Sequence, residues 1–178
     1  MKNLDKLNFH IHSKHIRQEC PERAMSFYLN LVLQELIPKL VQILCEEAKK
    51  ENILLVHTKE YYDKIKSIPE SCKDKNITNH NLSEKDSYDN FATFESAILA
   101  TCGLLYICKN ILSNKIKHGY AIFRTPGHHA DMNNAKSFCI FNNVAIAVKT
   151  IIKKYPEKKN INFRFGRTPW GQYTSNFL

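Results

Sequence analysis

The sequence lacks several features that would assign it to familiar classes of protein. Its six cysteines, at positions 20, 45, 72, 102, 108 and 139, form no C-x-x-C pair, so neither a structural zinc site nor a disulfide framework is indicated. It has no run of about 18 apolar residues and no apolar signal segment at its start. It also shows no internal repeat. We therefore expect buried, reduced thiols and a soluble intracellular protein without a membrane span.

The sequence is rich in positive charge, but that charge is not concentrated. Its formal net charge is +9, and the lysines are spread through the chain instead of gathered in one block. No aromatic and basic RNA-binding motif and no basic helix accompanies them. We therefore expect no direct binding of nucleic acid. The length of 178 residues and the hydrophobic content of 43% indicate one globular domain or a part of one.

The order of apolar patterns predicts an α/β protein with a mostly parallel sheet. Helical spacing follows Pro21, and Pro38 is expected to interrupt that helix. The polar stretch 71–90 is interpreted as a surface loop or insertion. Asn142 or Asn143 is expected to cap a helix that runs through Lys154. The remaining predicted elements are helices over 46–56, 59–68 and 94–112, a strand at 7–12, and buried parallel strands at 120–123 and 159–163.

Two adjacent histidines follow the predicted strand 120–123, in the string R-T-P-G-H-H-A at residues 124–130. Loops at the carboxyl ends of parallel strands are where α/β proteins place active sites. Pro126 limits one backbone angle and Gly127 frees the next, which can hold the two imidazoles in a fixed orientation. Imidazoles exchange protons near neutral pH. Taken alone, the pair indicates either an acid–base site or two polar residues of a loop.

The string S-F-C-I-F-N-N-V-A-I-A follows at residues 137–147. Together the two strings resemble the R-P-P-G-H-H-A and G-F-C-I-F-N-N-V-A-I-A signature of class II histone deacetylases. Weaker matches occur earlier, in the family's order: E-C-P-E-R-A at 19–24, L-L-V-H-T at 54–58 and F-E-S-A at 94–97. Related acetylpolyamine amidohydrolases share much of this pattern. The resemblance implies an arginase/deacetylase-like α/β fold of three layers with a mainly parallel sheet, truncated partway through.

The resemblance also assigns roles to residues of this chain. His128 and His129 match the tandem active-site histidines, with His129 expected to be the general base and acid and His128 its electrostatic partner. Phe138 matches an aromatic wall of the narrow channel for acetyl-lysine, and Gly127 belongs to the same channel. Asp86 is matched, in a loose alignment, to the aspartate at the channel rim that holds the substrate backbone.

Two residues depart from the family pattern, and a third has two interpretations. Thr125 replaces one of the two prolines, which is a mild change. Ser137 replaces the glycine before the channel phenylalanine, so its side chain is expected to crowd the acetyl pocket or to strain the loop. Cys139 matches a buried neighbour of the channel wall, for which a small apolar core residue is the expected role rather than a redox group.

The tail 164–178 has no apolar periodicity and does not match the family. The family's zinc ligands, an Asp-x-His string and a later aspartate, belong after residue 163, and we expect no metal site in this chain. Written back into codons and read one base later from Phe163, the tail can encode F-D-L-D-V-H-H-G. We therefore interpret residues 1–163 as the N-terminal part of a histone deacetylase domain and 164–178 as a frameshift product.

By family, the intact protein is expected to be a zinc-dependent hydrolase of the acetamide of acetyl-lysine. Its expected partners are acetylated histone tails or other acetylated proteins, with a corepressor-type complex possible and no membrane, in the nucleus or the cytoplasm. The chain as written is expected to be inactive, because the zinc ligands, the aspartates that orient the histidines and a tyrosine that stabilises the oxyanion are missing from it. The alternative is a non-catalytic fragment that acts as a binding or regulatory module.

Overall fold

The computed structural model describes residues 20–43, 48–71, 80–82 and 88–156. The strands predicted at 7–12 and 159–163 lie outside these residues. The described part is mainly helical. Its α-helices are α1 (Pro21–Leu33), α2 (Lys50–Ile53), α3 (Lys59–Ser71), α4 (Thr93–Leu112) and α5 (Asn143–Lys154), and it also contains a 3-10 helix (Ile37–Lys39) and the strands β1 (His80–Asn81) and β2 (Tyr88–Asp89).

The first helix begins as predicted but ends earlier than expected. Proline occupies the first turn of α1, where its missing N–H costs no helical hydrogen bond. The helix ends at Leu33 because Glu35 adopts a left-handed conformation (φ 52°), and the N–H of Leu36 donates to the carbonyl of Leu31 at 2.9 Å. The prediction that Pro38 interrupts the helix is therefore wrong, since that proline lies within the 3-10 helix beyond it.

The next two helices differ from their predicted bounds in opposite directions. The helix expected over 46–56 is reduced to α2, and a tight turn in which the N–H of His57 donates to the carbonyl of Ile53 follows it. The helix expected over 59–68 is confirmed as α3 but continues to residue 71, with Pro69 inside its last turn. Near the end of a helix a proline removes one hydrogen bond without breaking the segment, so the helix passes through it.

The polar stretch 71–90 is not simply a surface loop. Its described residues include the antiparallel pair β1 and β2, in which residue 80 faces residue 89. Leu82 is buried in the main core, and Asp89 and Asn90 are buried as well. Asn90 also organises the start of α4, because its Oδ1 accepts a hydrogen bond from the N–H of Ala92 at 2.9 Å. The described residues of this segment therefore contribute to the packed structure.

The apolar run 120–123 is not a buried parallel strand in the described structure, so that prediction is wrong. These residues form neither helix nor strand, and Tyr120 is 71% exposed. A strand exists only through hydrogen bonds to a neighbouring strand, and the segments expected to pair with it lie outside the described residues. The ring of Tyr120 instead stacks on Phe27 of α1, with ring centroids 4.9 Å apart.

Helices α4 and α5 pack side by side and form the centre of the described structure. Small residues on α4, which include Ala97, Ala100 and Thr101, are buried as their size predicts. Contacts between the helices advance from Thr101 with Asn143 to the cluster of Cys108, Ala147 and Ile151. Because the contacts move forward along both helices together, α4 and α5 run in the same direction.

The main core lies between α3, α4 and the loops that precede α5. The face predicted on α3 is confirmed, since Tyr61, Tyr62 and Ile65 are all buried. Phe141 is fully buried and lies among these rings, stacked against Tyr62 with centroids 6.3 Å apart. Through Phe141, the core therefore packs α3 directly against the segment that follows Phe138, the residue predicted to line the channel.

By length and composition, α4 is apolar enough to cross a membrane, and it is the single described helix that meets this criterion. The expectation that no such segment exists is wrong for this helix. Its alanine, threonine and cysteine side chains are, however, buried against α3 and α5. The core helix of a globular domain has the same length and composition.

Candidate functional site

The histidine pair lies in an irregular loop, at residues 124–130, that is held from several sides. The ring centroids of His128 and His129 are 4.1 Å apart with 49° between the ring planes, and both side chains are partly buried. Burial lowers the pKa of His128 below its ordinary value, and the neighbouring His129 lowers it further. His128 therefore stays neutral to a lower pH than a free imidazole would.

The side chain of Asn143 anchors the segment just before the pair. Asn143 is fully buried at the start of α5, and its Nδ2 donates to the carbonyls of Thr125 at 3.1 Å and Pro126 at 3.4 Å. Its Oδ1 accepts a hydrogen bond from the hydroxyl of Thr101 at 2.7 Å. Every polar atom of this amide therefore has a partner, and the histidine loop is joined to α4 through it.

Gly127 is the one position of this loop where the backbone requires glycine. Its φ is 80°, in the left-handed region, and a Cβ there would lie 2.2 Å from Nδ2 of Asn143 and 2.7 Å from the carbonyl oxygen of Phe141. No side chain fits in that space. The expected conformational freedom of Gly127 is thus confirmed, and the close approach of Asn143 gives a second reason for it. The placement of Gly127 in a substrate channel remains a prediction.

The thiol of Cys139 links the histidine loop to the next loop. Its Sγ accepts a hydrogen bond from the N–H of Gly127 at 3.1 Å and donates to the carbonyl of Ser137 at 3.4 Å. Cys139 is fully buried, as the interpretation of it as a small core residue predicts. The sequence does not indicate the polar contact of Cys139 with Gly127. A buried cysteine in an apolar run looks like any other apolar core residue, so nothing in the pattern shows that its thiol makes a hydrogen bond.

Ser137 and Phe138 form a tight turn in left-handed conformations. Lys136 and Cys139 face each other across it, with both backbone hydrogen bonds made, at 3.0 and 2.9 Å. The φ values are 45° at Ser137 and 66° at Phe138. Two positive φ values are typical of a type I′ hairpin turn, which favours glycine or asparagine. The expected strain at Ser137 therefore has a physical basis: a side chain occupies a position where glycine is favoured.

His57 fastens two loops at the site, a role that the sequence did not reveal. Its Nε2 accepts a hydrogen bond from the N–H of Asn142 at 2.9 Å, so Nδ1 carries the proton that bonds to the carbonyl of Met132 at 3.0 Å. Burial lowers the pKa of His57, which therefore remains neutral. In the sequence His57 belongs to a weak motif, but neither its position nor its residue type indicates two backbone partners 75 and 85 residues away.

Tyr61 and Asn142 complete the frame. The hydroxyl of Tyr61 donates to the carbonyl of Ile140 at 2.8 Å, and burial raises the pKa of Tyr61 far above its ordinary value. The prediction that Asn142 or Asn143 caps α5 is confirmed for Asn142, whose Oδ1 accepts from the N–H of Ala145 at 3.0 Å. The Nδ2 of Asn142 also donates to the carbonyl of Ala130, directly after the histidines. The pair is thus held at both ends by adjacent asparagines.

Comparison with known proteins identifies the family. Residues 17–161 match the histone deacetylase domain. The chain belongs to the histone deacetylase family. It is 32% identical over 151 residues to histone deacetylase HDA1 of Candida albicans and 34% identical over 140 residues to histone deacetylase 18 of Arabidopsis thaliana, and each alignment covers 78% of this chain. It is also 33% identical over 139 residues to the polyamine deacetylase HDAC10 of Mus musculus.

The family's domain extends well beyond this chain. The three alignments cover 18% of the Candida protein and 20% of each of the other two. The crystal structure of the HDA15 HD domain matches the chain with a TM-score of 0.75 and 24% sequence identity, over 85% of this chain and 42% of that one. The described structure therefore has the fold of the corresponding part of a histone deacetylase domain, and it spans less than half of that domain.

Of the remaining predicted site residues, one lies outside the described residues and one lies within them. Asp86, matched to the family's rim aspartate, is outside the described residues. Phe138 is described and partly buried at the tip of its turn. Among the described residues no three His, Cys, Asp or Glu side chains come together, and the sequence after residue 131 contains neither aspartate nor histidine. The residues present therefore do not fit the zinc site expected of the family.

Proposed function

We propose that the domain to which this chain belongs hydrolyses the acetamide of acetyl-lysine, and that His128 and His129 carry its proton transfers. The observation that supports this most directly is the contact of the two partly buried imidazoles, whose ring centroids are 4.1 Å apart, in a loop that is hydrogen-bonded by three side chains, those of Cys139, Asn142 and Asn143. Hydrolysis of an amide needs a base for the attacking water and an acid for the departing amine. An imidazole can perform both steps near neutral pH.

The two histidines have different roles in this proposal. Two imidazolium ions at this separation would repel each other, and the neighbouring His129 contributes to lowering the pKa of His128. Burial keeps His128 neutral, and it acts as the electrostatic partner. His129 takes a proton from the water and returns it to the lysine nitrogen as the C–N bond breaks. Acetate and free lysine are the products.

Phe138 and Gly127 are proposed to line the channel that admits acetyl-lysine. A narrow apolar channel suits the uncharged butyl chain of acetyl-lysine and excludes the charged amine of the product. Asp86 is proposed to hold the substrate backbone at the rim. The substrates that we favour are acetylated histone tails and other acetylated proteins in the nucleus or cytoplasm, within a corepressor-type complex. An acetylated polyamine is the competing substrate, since one relative is a polyamine deacetylase.

The three-layer fold with a mainly parallel sheet is also a proposal. Its support is the parallel course of α4 and α5, because successive crossover helices on one side of a parallel sheet point in the same direction. The similarity to a solved histone deacetylase domain supports the family fold in general but does not test the sheet.

We further propose that the 178-residue chain has no deacetylase activity alone, since its sequence has no aspartate or histidine after residue 131, where the resemblance places the zinc ligands of the family. The test measures acetate release from an acetyl-lysine peptide, with added zinc, by this chain and by a version in which D-L-D-V-H-H-G and the downstream half of a relative's domain replace residues 164–178. We expect no release from the first and release from the second. Activity of the unaltered chain would contradict the proposed inactivity.

In the extended protein the histidines are tested separately. His129→Ala is expected to lower kcat by about 100-fold or more, whereas His118→Ala, at an exposed position, leaves kcat unchanged. Equal activities of the two variants would overturn the proposed role of the pair. Sequencing the transcript across the codons for residues 162–170 tests the frameshift interpretation, because a frame that continues with the zinc ligands is expected.

A non-catalytic binding module is the second candidate function. It is favoured by apolar side chains that are exposed on α1 and in the segment after it, among them Leu33 at 76% and Val41 at 80%. A cooperative thermal transition of the purified 178-residue chain would support this alternative. Aggregation would count against it, because a regulatory fragment must persist in solution.

A further inference from the structure

The hydroxyl of Thr101 lies at the end of a hydrogen-bond chain that leads to the histidine loop. Thr101 is fully buried near the middle of α4 and is 2.7 Å from Oδ1 of Asn143, 42 residues further along the chain. The other end of that amide bonds to the carbonyls of Thr125 and Pro126. Three connected groups thus join α4 to the residues directly before His128.

The donors and acceptors permit a single orientation of the Asn143 amide. An NH₂ group is needed to face the carbonyls of Thr125 and Pro126, which can only accept. The Oδ1 atom must then face Thr101, where a hydroxyl supplies a proton. A reversed amide would place Oδ1 against two carbonyl oxygens in a buried, low-dielectric environment, which is strongly unfavourable. A donor at position 101 completes the orientation that the loop requires.

The same amide leaves no free space beside the loop. A Cβ at Gly127 would lie 2.2 Å from Nδ2 of Asn143, so the backbone of Gly127 rests directly against this group. Any rotation of the Asn143 side chain must therefore displace the backbone that leads into His128. Because protein interiors are closely packed, such a displacement is transmitted instead of absorbed.

We infer that Thr101 is a positioning residue for the His128–His129 pair and acts through the side-chain amide of Asn143. The hydroxyl proton of Thr101 can go either to Oδ1 of Asn143 at 2.7 Å or to the carbonyl of Ala97 at 3.0 Å. The shorter contact is the one that orients the amide. The inference rests on the proposed function only in taking the two histidines as the groups whose orientation matters.

The test replaces Thr101 with valine, which keeps the shape of the side chain and removes the hydroxyl donor. The pKa values of His128 and His129 are measured by NMR in the 178-residue chain labelled with ¹⁵N histidine. In Thr101→Val, Oδ1 of Asn143 loses its donor, the loop loosens and His128 becomes more exposed. Its pKa is then expected to rise toward the ordinary value of 6.5. Thr101→Ser keeps a donor and is expected to restore the titration of the unsubstituted chain.

Two controls separate positioning from a general loss of stability. Ile151→Val removes one methylene from the cluster around Cys108, away from the loop, and is expected to lower Tm by about 2–4 °C without altering the titration of His128. Ser96→Ala removes another buried hydroxyl of α4, whose Oγ has no hydrogen-bond partner in the described part of the chain. It is expected to leave the titration unchanged as well.

The inference is overturned if Thr101→Val leaves the titration of His128 unchanged, or if Ile151→Val changes it to the same extent. Should the valine variant fail to fold, the unsubstituted chain supplies a second measurement. The Nδ2 protons of Asn143 are expected to exchange slowly with solvent because they are buried and bonded to two carbonyls, and fast exchange would contradict the inference. Neither measurement depends on catalysis, so a failure of the proposed function would be seen separately, in the acetate assay.

Discussion

The Nε2 atom of His57 accepts a hydrogen bond from the backbone N–H of Asn142, 85 residues further along the chain, at 2.9 Å. The opposite ring nitrogen bonds to the carbonyl of Met132. One buried ring therefore fixes the distance between the loop after the histidine pair and the start of α5. This histidine is structural, and its two hydrogen bonds require a neutral ring with the proton on Nδ1.

His57→Phe is expected to lower the free energy of unfolding by about 1–3 kcal/mol. Phenylalanine fills the same space beside Phe141, but it leaves the partly buried N–H of Asn142 without an acceptor. Urea denaturation at pH 7.5 measures the change. His118→Phe, at an exposed position, is the matched control and is expected to change stability by no more than about 0.5 kcal/mol. Equal losses in the two variants would refute the structural role of His57.

Stability is expected to fall as the pH drops below about 6.5. Burial lowers the pKa of His57 in the folded chain from an ordinary value of 6.5, so the unfolded chain takes up a proton first. Its contribution is complete above 6.5 and is lost as the pH falls toward the lower folded pKa. The lowered pKa of His128 acts in the same direction. Urea midpoints between about pH 7.5 and 5 measure this loss, and the slope is expected to be shallower in His57→Phe.

Gly127→Ala is expected to destabilise the chain by about 2 kcal/mol or more. The added Cβ meets both Asn143 and the Phe141 carbonyl, at a φ of 80° that alanine disfavours. Gly103→Ala is the control, since nothing lies within 4 Å of a Cβ at that helical glycine. It is expected to stabilise the chain by about 0.5–1 kcal/mol through the helix preference of alanine. Thermal unfolding measures the change in stability of each variant. We expect a loss in one and a gain in the other, and changes in the same direction would contradict the structure.

Ser137→Gly is expected to raise stability by about 0.5–1 kcal/mol. Glycine relieves the left-handed strain at φ 45°, which outweighs the entropy that it adds to the unfolded chain. The comparison variant is Ser113→Gly, at the end of α4. Its φ of −85° is comfortable for serine, so the substitution should lower stability instead. Chemical denaturation of both variants measures the difference, and a loss of stability in Ser137→Gly would show that serine is well accommodated in the turn.

The sequence predicted the elements whose causes are local. Helix α4 and the Asn142 cap of α5 follow from apolar spacing and from a side chain that bonds three residues ahead. The histidine pair was identified from one continuous string, and Gly127 from its place within that string. In each case the residues that interact are close in sequence, so the pattern contains the information.

The parts that were missed depend on contacts between distant residues. His57 bonds to residues 75 and 85 positions away, and Thr101 reaches Asn143 across 42 positions. The end of α1 was misplaced for a different reason. Glu35, a residue type with no special preference for a left-handed conformation, adopts one there and stops the helix before Pro38. Residue type and spacing do not predict such features, because each depends on its tertiary surroundings.

Two backbone amides near the histidines donate to side-chain atoms instead of carbonyl oxygens: Gly127 to the Sγ of Cys139 and Asn142 to the Nε2 of His57. Neither amide is part of the hydrogen bonding within a helix. Each of them therefore exchanges with deuterium when two loops separate, and not when the end of a helix opens. In a hydrogen-exchange time course, the exchange rates at these two positions would therefore measure how often the loops around the two histidines open.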